Sequence, residues 1–347
     1  MKKFLIKLSY TVLPLWLLVI VLAAYYHLQV LPNINGELGR LGKMQFAPEK
    51  MNVDVQHKFY TDIDNLQQLA DTAVDVLTLG DSFSQQGLGS YENFIAMQGY
   101  SVVNLHAVQN MFQTAYDMMK LGIVDSTHVK TIVVECVERY LANRVTTLRT
   151  DNKTVSFSPI GRRNGTGDET AGIKPSNEWS LLEARNYLML RFGFPEPVKH
   201  CTLTQPMFAG NRGKELYFYY EDLNSFTMSQ EQKQLAAHNI TSINHMADSL
   251  GINIVYLICP DKYDIYQDLI VDNPYPRKTV NEDFAACHPA RERLLLGKDV
   301  LMPLVKKGVK EIFHLSSTHW SYASAQAVAR QLVTMLPKPT NATVKTQ

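Results

Sequence analysis

Short apolar runs rich in β-branched residues recur along the chain, and this recurrence limits the possible folds more than any other feature. The runs show little alternation of polar and apolar residues, which is typical of parallel strands buried on both faces. Helical patterns lie between them, so the sequence predicts an α/β fold with a doubly wound parallel sheet flanked by helices. The predicted strands are Val74–Leu79, Tyr100–Leu105, Lys130–Val137, Ile252–Cys259 and Lys310–Leu315.

The helical patterns carry start and stop signals of their own. "ENFIAMQ" follows the first predicted strand and "MFQTAYDMMKLGI" follows the second. The longest pattern begins after Ser229, has Gln232 three residues later, and ends at Gly251. A closing helix is predicted in "SYASAQAVARQLVTML".

The N-terminus has the pattern of a membrane anchor. Lys2, Lys3 and Lys7 precede an uncharged stretch, Leu8–Leu31, and about twenty apolar residues span a bilayer as a helix. The lysines predict a cytoplasmic N-terminus by the positive-inside rule. We therefore expect a single-pass protein of the cytoplasmic (inner) membrane, with the remaining chain in the periplasm or outside the cell. A cleaved signal peptide is the alternative, and it exports the same remainder.

The rest of the chain divides by composition. We predict a cytoplasmic tip and transmembrane helix over 1–31, a polar stalk over 32–71, one domain over 72–337 and a tail over 338–347. Residues 150–225 are rich in glycine and polar residues and read as an insertion in that domain. Within the insertion, "ELYFYYEDL" is aromatic enough to form a strand or to line a groove.

Charge and cysteine content exclude several classes of partner. The 347 residues have a formal net charge of +1 and contain no basic tract, so we expect no nucleic-acid partner. None of the 4 cysteines has zinc-ligand spacing. We accordingly expect neither a metal nor another cofactor.

One serine stands where a parallel sheet gathers ligands. Ser82 in "LTLGDSFSQQG" follows the first predicted strand, and ligands of open α/β sheets bind beyond the carboxyl ends of the strands. The start of a helix there would favour an oxyanion. A structural alternative is equally simple, because a serine after Gly80 and Asp81 can cap a helix.

A candidate base lies near the other end of the sequence. His319 in "HLSSTHWSYASAQAVA" stands between the last predicted strand and the last predicted helix. That position is the same carboxyl edge of the sheet. Ser82 and His319 are thus predicted to face one crevice, as a nucleophile and its base must.

Together these motifs resemble the SGNH/GDSL hydrolase superfamily. "GDSFS" followed much later by "THWS" is most similar to its exported, membrane-anchored, alginate O-acetyltransferase-like branch, of the AlgJ/AlgX and DHHW type. "VVECVERYL" and "ICPDKYDIY" are similar to intermediate segments of that branch. The matches are short and are spread over residues 74–329.

The resemblance implies roles for particular residues. Ser82 would be the nucleophile and His319 the general base, with the Ser82 amide, Asn104 and Arg139 at the oxyanion. Lys262 and Trp320 are candidates for substrate contact, and packing of Trp320 under the last helix is an alternative of at least equal weight.

The resemblance also implies a function. It points to transfer of acyl groups, typically acetyl, to a cell-surface or secreted polysaccharide, with a multi-pass membrane O-acyltransferase as partner. A carbohydrate esterase would act on an acylated glycan with the same residues.

One departure from the pattern concerns the third member of the triad. The branch has an aspartate two residues before the histidine, and here that residue is Ser317. Three explanations stay open: Ser317 or a backbone carbonyl orients His319; a carboxylate such as Asp81 or Glu138 replaces the aspartate; or the chain is a non-catalytic glycan-binding or scaffold subunit. The loop after Asn104 also lacks the glycine that is common in the branch.

Overall fold

The protein is described by a computed structural model over residues 2–25, 55–64, 69, 74–105, 110–124, 128–149, 198–315 and 317–339. Its helices are α1 (Lys2–Tyr25), α2 (Tyr91–Ala96), α3 (Met111–Lys120), α4 (Glu138–Thr146), α5 (Gln230–Ser249), α6 (Lys262–Tyr266), α7 (Val280–Cys287), α8 (Gly297–Lys306) and α9 (Tyr322–Val333). Its strands are β1 (Thr61–Ile63), β2 (Val76–Leu79), β3 (Val102–Leu105), β4 (Thr131–Val137), β5 (Val198–Thr202), β6 (Glu215–Tyr219), β7 (Asn253–Cys259) and β8 (Leu294–Leu296).

A parallel sheet forms the centre of the domain. Within the described residues it has 6 strands in the order β1-β3-β2-β4-β7-β8, and every neighbouring pair is parallel. The predicted α/β fold with a parallel sheet flanked by helices is confirmed. Strands β5 and β6 form a separate antiparallel hairpin.

Helices cover both faces of the sheet, and successive side chains of each strand point alternately to the two faces. Val133 and Val137 of β4 pack into one apolar cluster with α2, α8 and α9. Ile132 and Val134 pack into a second cluster with α3, α4, α5 and α7. The near-continuous apolar runs in the sequence reflect this double coverage.

The long helix α5 has the predicted ends. The Ser229 hydroxyl accepts the Gln232 amide hydrogen and the Gln232 side chain accepts from the Ser229 amide, which is a complete capping box. Beyond the helix, Gly251 has a φ of +68°, a conformation that glycine adopts without strain.

The last strand is a correction to the prediction. Residues 310–315 form no strand, since Phe313 makes a local bridge to Trp320 instead of joining the sheet. The edge of the sheet is β8, which pairs with Tyr256, Leu257 and Ile258 of β7. A run of three leucines is too short for its pattern to distinguish a strand from a buried helix turn.

The domain also begins earlier than predicted. Strand β1 lies inside the segment 32–71 that the sequence assigns to a stalk, and it pairs with β3 as the other edge of the sheet. Tyr60 and Ile63 are buried there. Three residues are too few for a period to emerge, so the polar surroundings dominated the prediction.

The predicted N-terminal anchor and the predicted insertion are only partly described. Across the described residues, no helix combines the length and apolar character that crossing a membrane requires. Most of the predicted insertion, residues 150–197, lies outside the described residues, as does the tail after 339. The described end of the predicted insertion includes β6. The Phe218 ring of this strand packs against the Tyr263 ring, with 5.2 Å between the ring centroids, so "ELYFY" is a strand of the domain.

Candidate active site

The residues from Gly80 to Ser84, called the nucleophile turn below, follow directly from β2 at the carboxyl edge of the sheet. Ser82 begins a single 3-10 turn, Ser82–Gln85, and the Asp81 side chain accepts the Phe83 amide hydrogen at its start. A single turn has little dipole, so an oxyanion here would rely on the backbone amide itself. Among the described residues, neither the hydroxyl nor the amide of Ser82 makes a hydrogen bond, and the side chain is partly exposed.

A buried glutamate supports this turn from below. Glu135 Oε2 accepts the Asp81 amide hydrogen at 2.8 Å and the Ser84 hydroxyl at 2.9 Å. Burial raises the pKa of Glu135 well above its usual range, and the nearby Asp81 carboxylate adds to the shift. Gly80 has to be glycine, since a Cβ there would overlap Ser84 Oγ and the same glutamate oxygen. Sequence reasoning missed Glu135, although a charged residue inside "TIVVECV" was the available signal.

The carboxylate of Asp81 is held on the opposite side of the turn. Its Oδ2 accepts from Arg144 at 2.7 Å and from the Val137 amide at 3.0 Å. Burial opposes ionisation, but these contacts outweigh it and hold the pKa of Asp81 below its usual value. Asp81 is therefore already engaged with Arg144, and the structure supports no role for it as a substitute for the triad aspartate.

His319 lies on a short irregular segment, residues 313–315 and 317–320, which we call the histidine loop. Phe313 and Trp320 close it by their bridge, and the His314 amide donates to the His319 carbonyl at 3.2 Å. Ser317 Oγ lies 3.1 Å from Nδ1 of His319. The same hydroxyl accepts the His319 amide hydrogen at 3.2 Å. Ser317 thus contacts the imidazole nitrogen that an orienting group must contact.

The nucleophile turn and the histidine loop meet through one aromatic side chain. The Phe83 ring packs edge-on against the His319 ring at 4.9 Å and against the Trp320 ring at 4.8 Å. Phe83, the residue that follows Ser82, therefore contacts the predicted base His319. Ser82 itself makes no hydrogen bond to His319, and such contacts are commonly long without substrate.

The histidine loop falls within a region that matches a known family. Residues 212–347 match the family model described as "SGNH hydrolase-like domain, acetyltransferase AlgX". The chain is SGNH- and AlgX-like over this region. The match includes Ser317 and His319 and begins after the nucleophile turn. No curated protein matches the chain.

Within this SGNH-like domain, Ser317 can do part of the work of an aspartate. A serine hydroxyl has two acceptor positions, so it can accept both the His319 amide hydrogen and a proton on Nδ1. With the proton on Nδ1, Nε2 carries the lone pair that a general base needs. A hydroxyl brings no negative charge, however, and so stabilises the imidazolium less than a carboxylate does.

The amide group of Asn104, a predicted oxyanion donor, is bonded to other groups of the protein. Its amide group donates to Asp62 Oδ1 and to the Ser84 carbonyl, each at 2.9 Å, and its oxygen accepts from Thr78 at 2.9 Å. Both amide hydrogens are thus used, and the side chain is fully buried. In this structure Asn104 connects β1, β2 and the nucleophile turn.

Arg139 is likewise occupied by the protein. Its guanidinium donates to Asp261 at 2.7 Å and to Asp222 at 3.3 Å. Burial raises the pKa of Asp222 to about 7, with Asp261 as the next contribution. Beside this group, Glu138 accepts the Asp261 amide hydrogen at 3.0 Å. The Glu-Arg pair of "VVECVERYL" thus belongs to a buried ionic cluster, and Glu138 is engaged there.

The two predicted substrate contacts, Lys262 and Trp320, are both fully buried. Trp320 packs against Phe83, and its ring would lie 3.2 Å from a Cβ added at Gly297. Lys262 Nζ donates to backbone carbonyls of the histidine loop. Burial leaves the predicted substrate contact of Lys262 without support in this structure. Trp320 shares an apolar cluster with Ala325 and Val328 of α9, which agrees with the alternative that it packs under the last helix.

Proposed function

We propose that this chain is an acyltransferase that moves an acyl group, typically acetyl, onto a polysaccharide hydroxyl through an acyl-Ser82 intermediate. The observation that carries the proposal is the 3.1 Å contact between Ser317 Oγ and His319 Nδ1, in a loop that packs on Phe83 beside Ser82. The match of residues 212–347 to an AlgX acetyltransferase domain supports the substrate class.

The chemistry follows from these positions. Ser82 Oγ attacks the acyl carbonyl while His319 Nε2 takes its proton, and the imidazolium then gives that proton to the leaving oxygen. The backbone amide of Ser82 is available to the developing oxyanion. In the second half, His319 removes a proton from a sugar hydroxyl, whose oxygen attacks the acyl carbonyl; the bond to Ser82 Oγ breaks, the imidazolium returns the proton to Ser82 Oγ, and the O-acyl sugar is released. Asn104 and Arg139 are not part of this proposed oxyanion site, because their donors bind protein groups.

An esterase would use the same steps with water as the acceptor. The two activities are separated by giving the protein an acetyl donor ester and an oligosaccharide, and then measuring acetylated sugar against free acetate. A transferase forms acetyl sugar in a Ser82-dependent manner, whereas an esterase forms only acetate.

A fluorophosphonate probe tests the shared first step. We expect the wild-type protein to be labelled at Ser82, and we expect Ser82→Ala and His319→Ala to lose labelling by at least about 10³-fold. A folded wild-type protein that is not labelled would instead favour the glycan-binding or scaffold function. Oligosaccharide binding without labelling would then identify that function directly.

We further propose that the domain works outside the cytoplasmic membrane beside a multi-pass O-acyltransferase. Lys2, Lys3 and Lys7 before the uncharged stretch support this, as do exposed apolar side chains on α1 such as Leu13 and Trp16. An alkaline phosphatase fused after residue 339 should be active, because that enzyme folds only after export. A fusion that is inactive while a cytoplasmic reporter is active would refute export. Acetylation of polysaccharide in cells should require both proteins.

A further inference from the structure

Lys262 is a lysine with no exposed surface beneath the histidine loop. It is the first residue of α6, just past the carboxyl end of β7. Its ammonium group donates to the carbonyls of His314 at 2.6 Å, Leu315 at 2.9 Å and Ser317 at 3.2 Å. An ammonium group has three hydrogens, so these contacts can use all of them.

The Lys262 contacts help to hold the histidine loop, because this loop is not a strand of the sheet. Its ends are joined by the Phe313–Trp320 bridge, and in the part of the chain that the structure describes the loop makes no strand pairing with β7 or β8. Burying a lysine is costly unless its charge meets acceptors, so the loop carbonyls and Lys262 depend on one another. Movement of Ser317 would carry the hydroxyl at His319 Nδ1 with it.

We propose that Lys262 is a positioning residue that holds His319 in register with Ser82 by fixing the backbone of the histidine loop. This inference rests on the proposed function, since it assigns a purpose to the geometry of that site. Lys262 acts through His319 and touches neither the substrate nor the reacting atoms. A displacement of about 1 Å in a catalytic group can cost about 10²-fold in rate, which sets the size of the expected effect.

The chain offers a matched control in Lys298. This buried lysine binds Asp264 of the same helix α6 at 2.7 Å, and it also binds Glu282 at 2.7 Å. Replacing it removes a buried ammonium that holds α6, but it leaves the loop carbonyls in contact with Lys262. Lys262→Met and Lys298→Met therefore compare loss of the loop contacts with loss of helix anchoring.

The experiment measures the second-order rate of fluorophosphonate labelling at Ser82, corrected for the folded fraction. We expect Lys262→Met to label about 10²-fold more slowly than wild type and Lys298→Met to stay within about 3-fold. In an acyl-transfer assay, the loss in Lys262→Met should fall on kcat, with KM nearly unchanged. Labelling of Lys262→Met at the wild-type rate, beside a labelled wild type, would overturn this inference alone.

A second comparison separates positioning from general stability. In the His319→Ala background, Lys262→Met should cause no further loss of labelling, because the group it positions is absent. A further loss of similar size in that background would overturn the proposal. Hydrogen exchange of the peptide spanning the histidine loop should be faster in Lys262→Met and unchanged in Lys298→Met.

Two outcomes remain to be distinguished. If Lys262→Met does not fold, Lys262→Gln, which keeps two N–H donors, takes its place with the same expectations. If neither folds while Lys298→Met does, Lys262 supports the domain and the positioning proposal is overturned. A wild-type protein that is not labelled would overturn the proposed function instead, and the exchange experiment would still report whether Lys262 holds the loop.

Discussion

The nucleophile turn and the histidine loop carry the two halves of the same proposed reaction, yet they are held in different ways. The turn continues from β2, a central strand, and sits on the buried Glu135 side chain. The loop lies outside the sheet and is held by the Lys262 ammonium, the Ser317 hydroxyl and one bridge. Register of a parallel sheet fixes the first, whereas polar contacts and the apolar packing of Phe313 and Trp320 fix the second.

This difference predicts how substitutions in the nucleophile turn and in the histidine loop should affect the reaction. The turn has no space for a side chain at Gly80, so adding one atom there should disrupt it abruptly. The loop is fixed by polar groups that can be strengthened or weakened one at a time, so its effects should be graded. The predictions below test this contrast from the largest expected effect on the reaction to the smallest.

Adding one methyl group to the turn should break it. Gly80→Ala places a Cβ against Ser84 Oγ and Glu135 Oε2, so we expect labelling at Ser82 to fall by about 10²-fold and the free energy of unfolding to fall by about 1–3 kcal/mol. The matched control is Gly251→Ala, where a φ of +68° makes alanine costly but the added atom meets no neighbour. Its stability should fall while the labelling rate of the folded protein is kept. Normal labelling of Gly80→Ala would show that the turn tolerates displacement.

Placing a carboxylate at position 317 should raise the rate of labelling at Ser82. Ser317→Asp puts a negative charge beside His319 Nδ1, and we expect the labelling rate to rise by about 10-fold. In the serine protease triad, replacing the aspartate by its amide lowers turnover by about 10⁴-fold, so the expected gain is only a part of that effect. The acidic limb of the rate profile should move to higher pH, because the carboxylate favours the imidazolium. Ser317→Asn supplies a polar group of the same shape without charge and should show neither change. A gain in both variants would mean that shape, and not charge, limits the wild-type protein.

Removing the Glu135 carboxyl group that supports the turn should have an effect of at most similar size, and its size should depend on whether an acceptor oxygen is kept. Since burial favours the protonated form of Glu135, Glu135→Gln keeps a neutral side chain with an oxygen for the Asp81 amide and the Ser84 hydroxyl. We expect its labelling to stay within about 3-fold, while Glu135→Ala loses about 10-fold and about 1–3 kcal/mol of stability for the unpaired donors. Equal loss in the two variants, measured by labelling and urea unfolding, would indicate that the charge of Glu135 is required.

The last prediction concerns pH and should leave the reaction rate almost unchanged. Burial raises the pKa of Glu92 from 4.5 to about 7 in the folded protein. The folded state therefore holds a proton that the unfolded chain releases, so this contribution is present below pH 4.5 and is lost as pH rises through about 7.

Glu92→Gln removes that dependence. Unfolding free energies of the variant and wild type should diverge between pH 5 and 8 by roughly 3 kcal/mol, with the variant favoured at the higher pH. Taking the difference cancels other groups, including His314, whose pKa burial lowers to about 4 and whose contribution is lost as pH falls from 6.5. Parallel curves for the two proteins would contradict the assignment to Glu92.

Local pattern predicted most of the fold. The central strands and the ends of α5 depend on neighbouring residues alone, such as the apolar run of β4 and the Ser229–Gln232 capping box, and both were predicted from sequence. The edge strands β1 and β8 were missed because three residues carry no period. The Lys310–Leu315 prediction failed because its Phe313 pairs with a residue seven positions later rather than with the sheet.

For the candidate site, the sequence predicted which segments meet but not the contacts that each side chain makes. Motif order brought Ser82, Ser317 and His319 to one edge, and the structure has Ser317 at His319 Nδ1. The hydrogen-bond partners of Lys262, Asn104 and Arg139 could not be predicted from the sequence, since they depend on which buried acceptors lie close to each side chain after folding. For Lys262, these are three carbonyls more than fifty positions away along the chain.

The short edge strands have a consequence for the behaviour of the protein in a crowded compartment. A parallel sheet ends in a row of unpaired backbone groups at each edge, and long, flat edges recruit strands from other chains. Here β1 and β8 each contribute only three residues, while the longer β4 and β7 are interior. The sheet therefore offers little template for edge-to-edge aggregation, and the charged Asp62 of β1 adds to this protection.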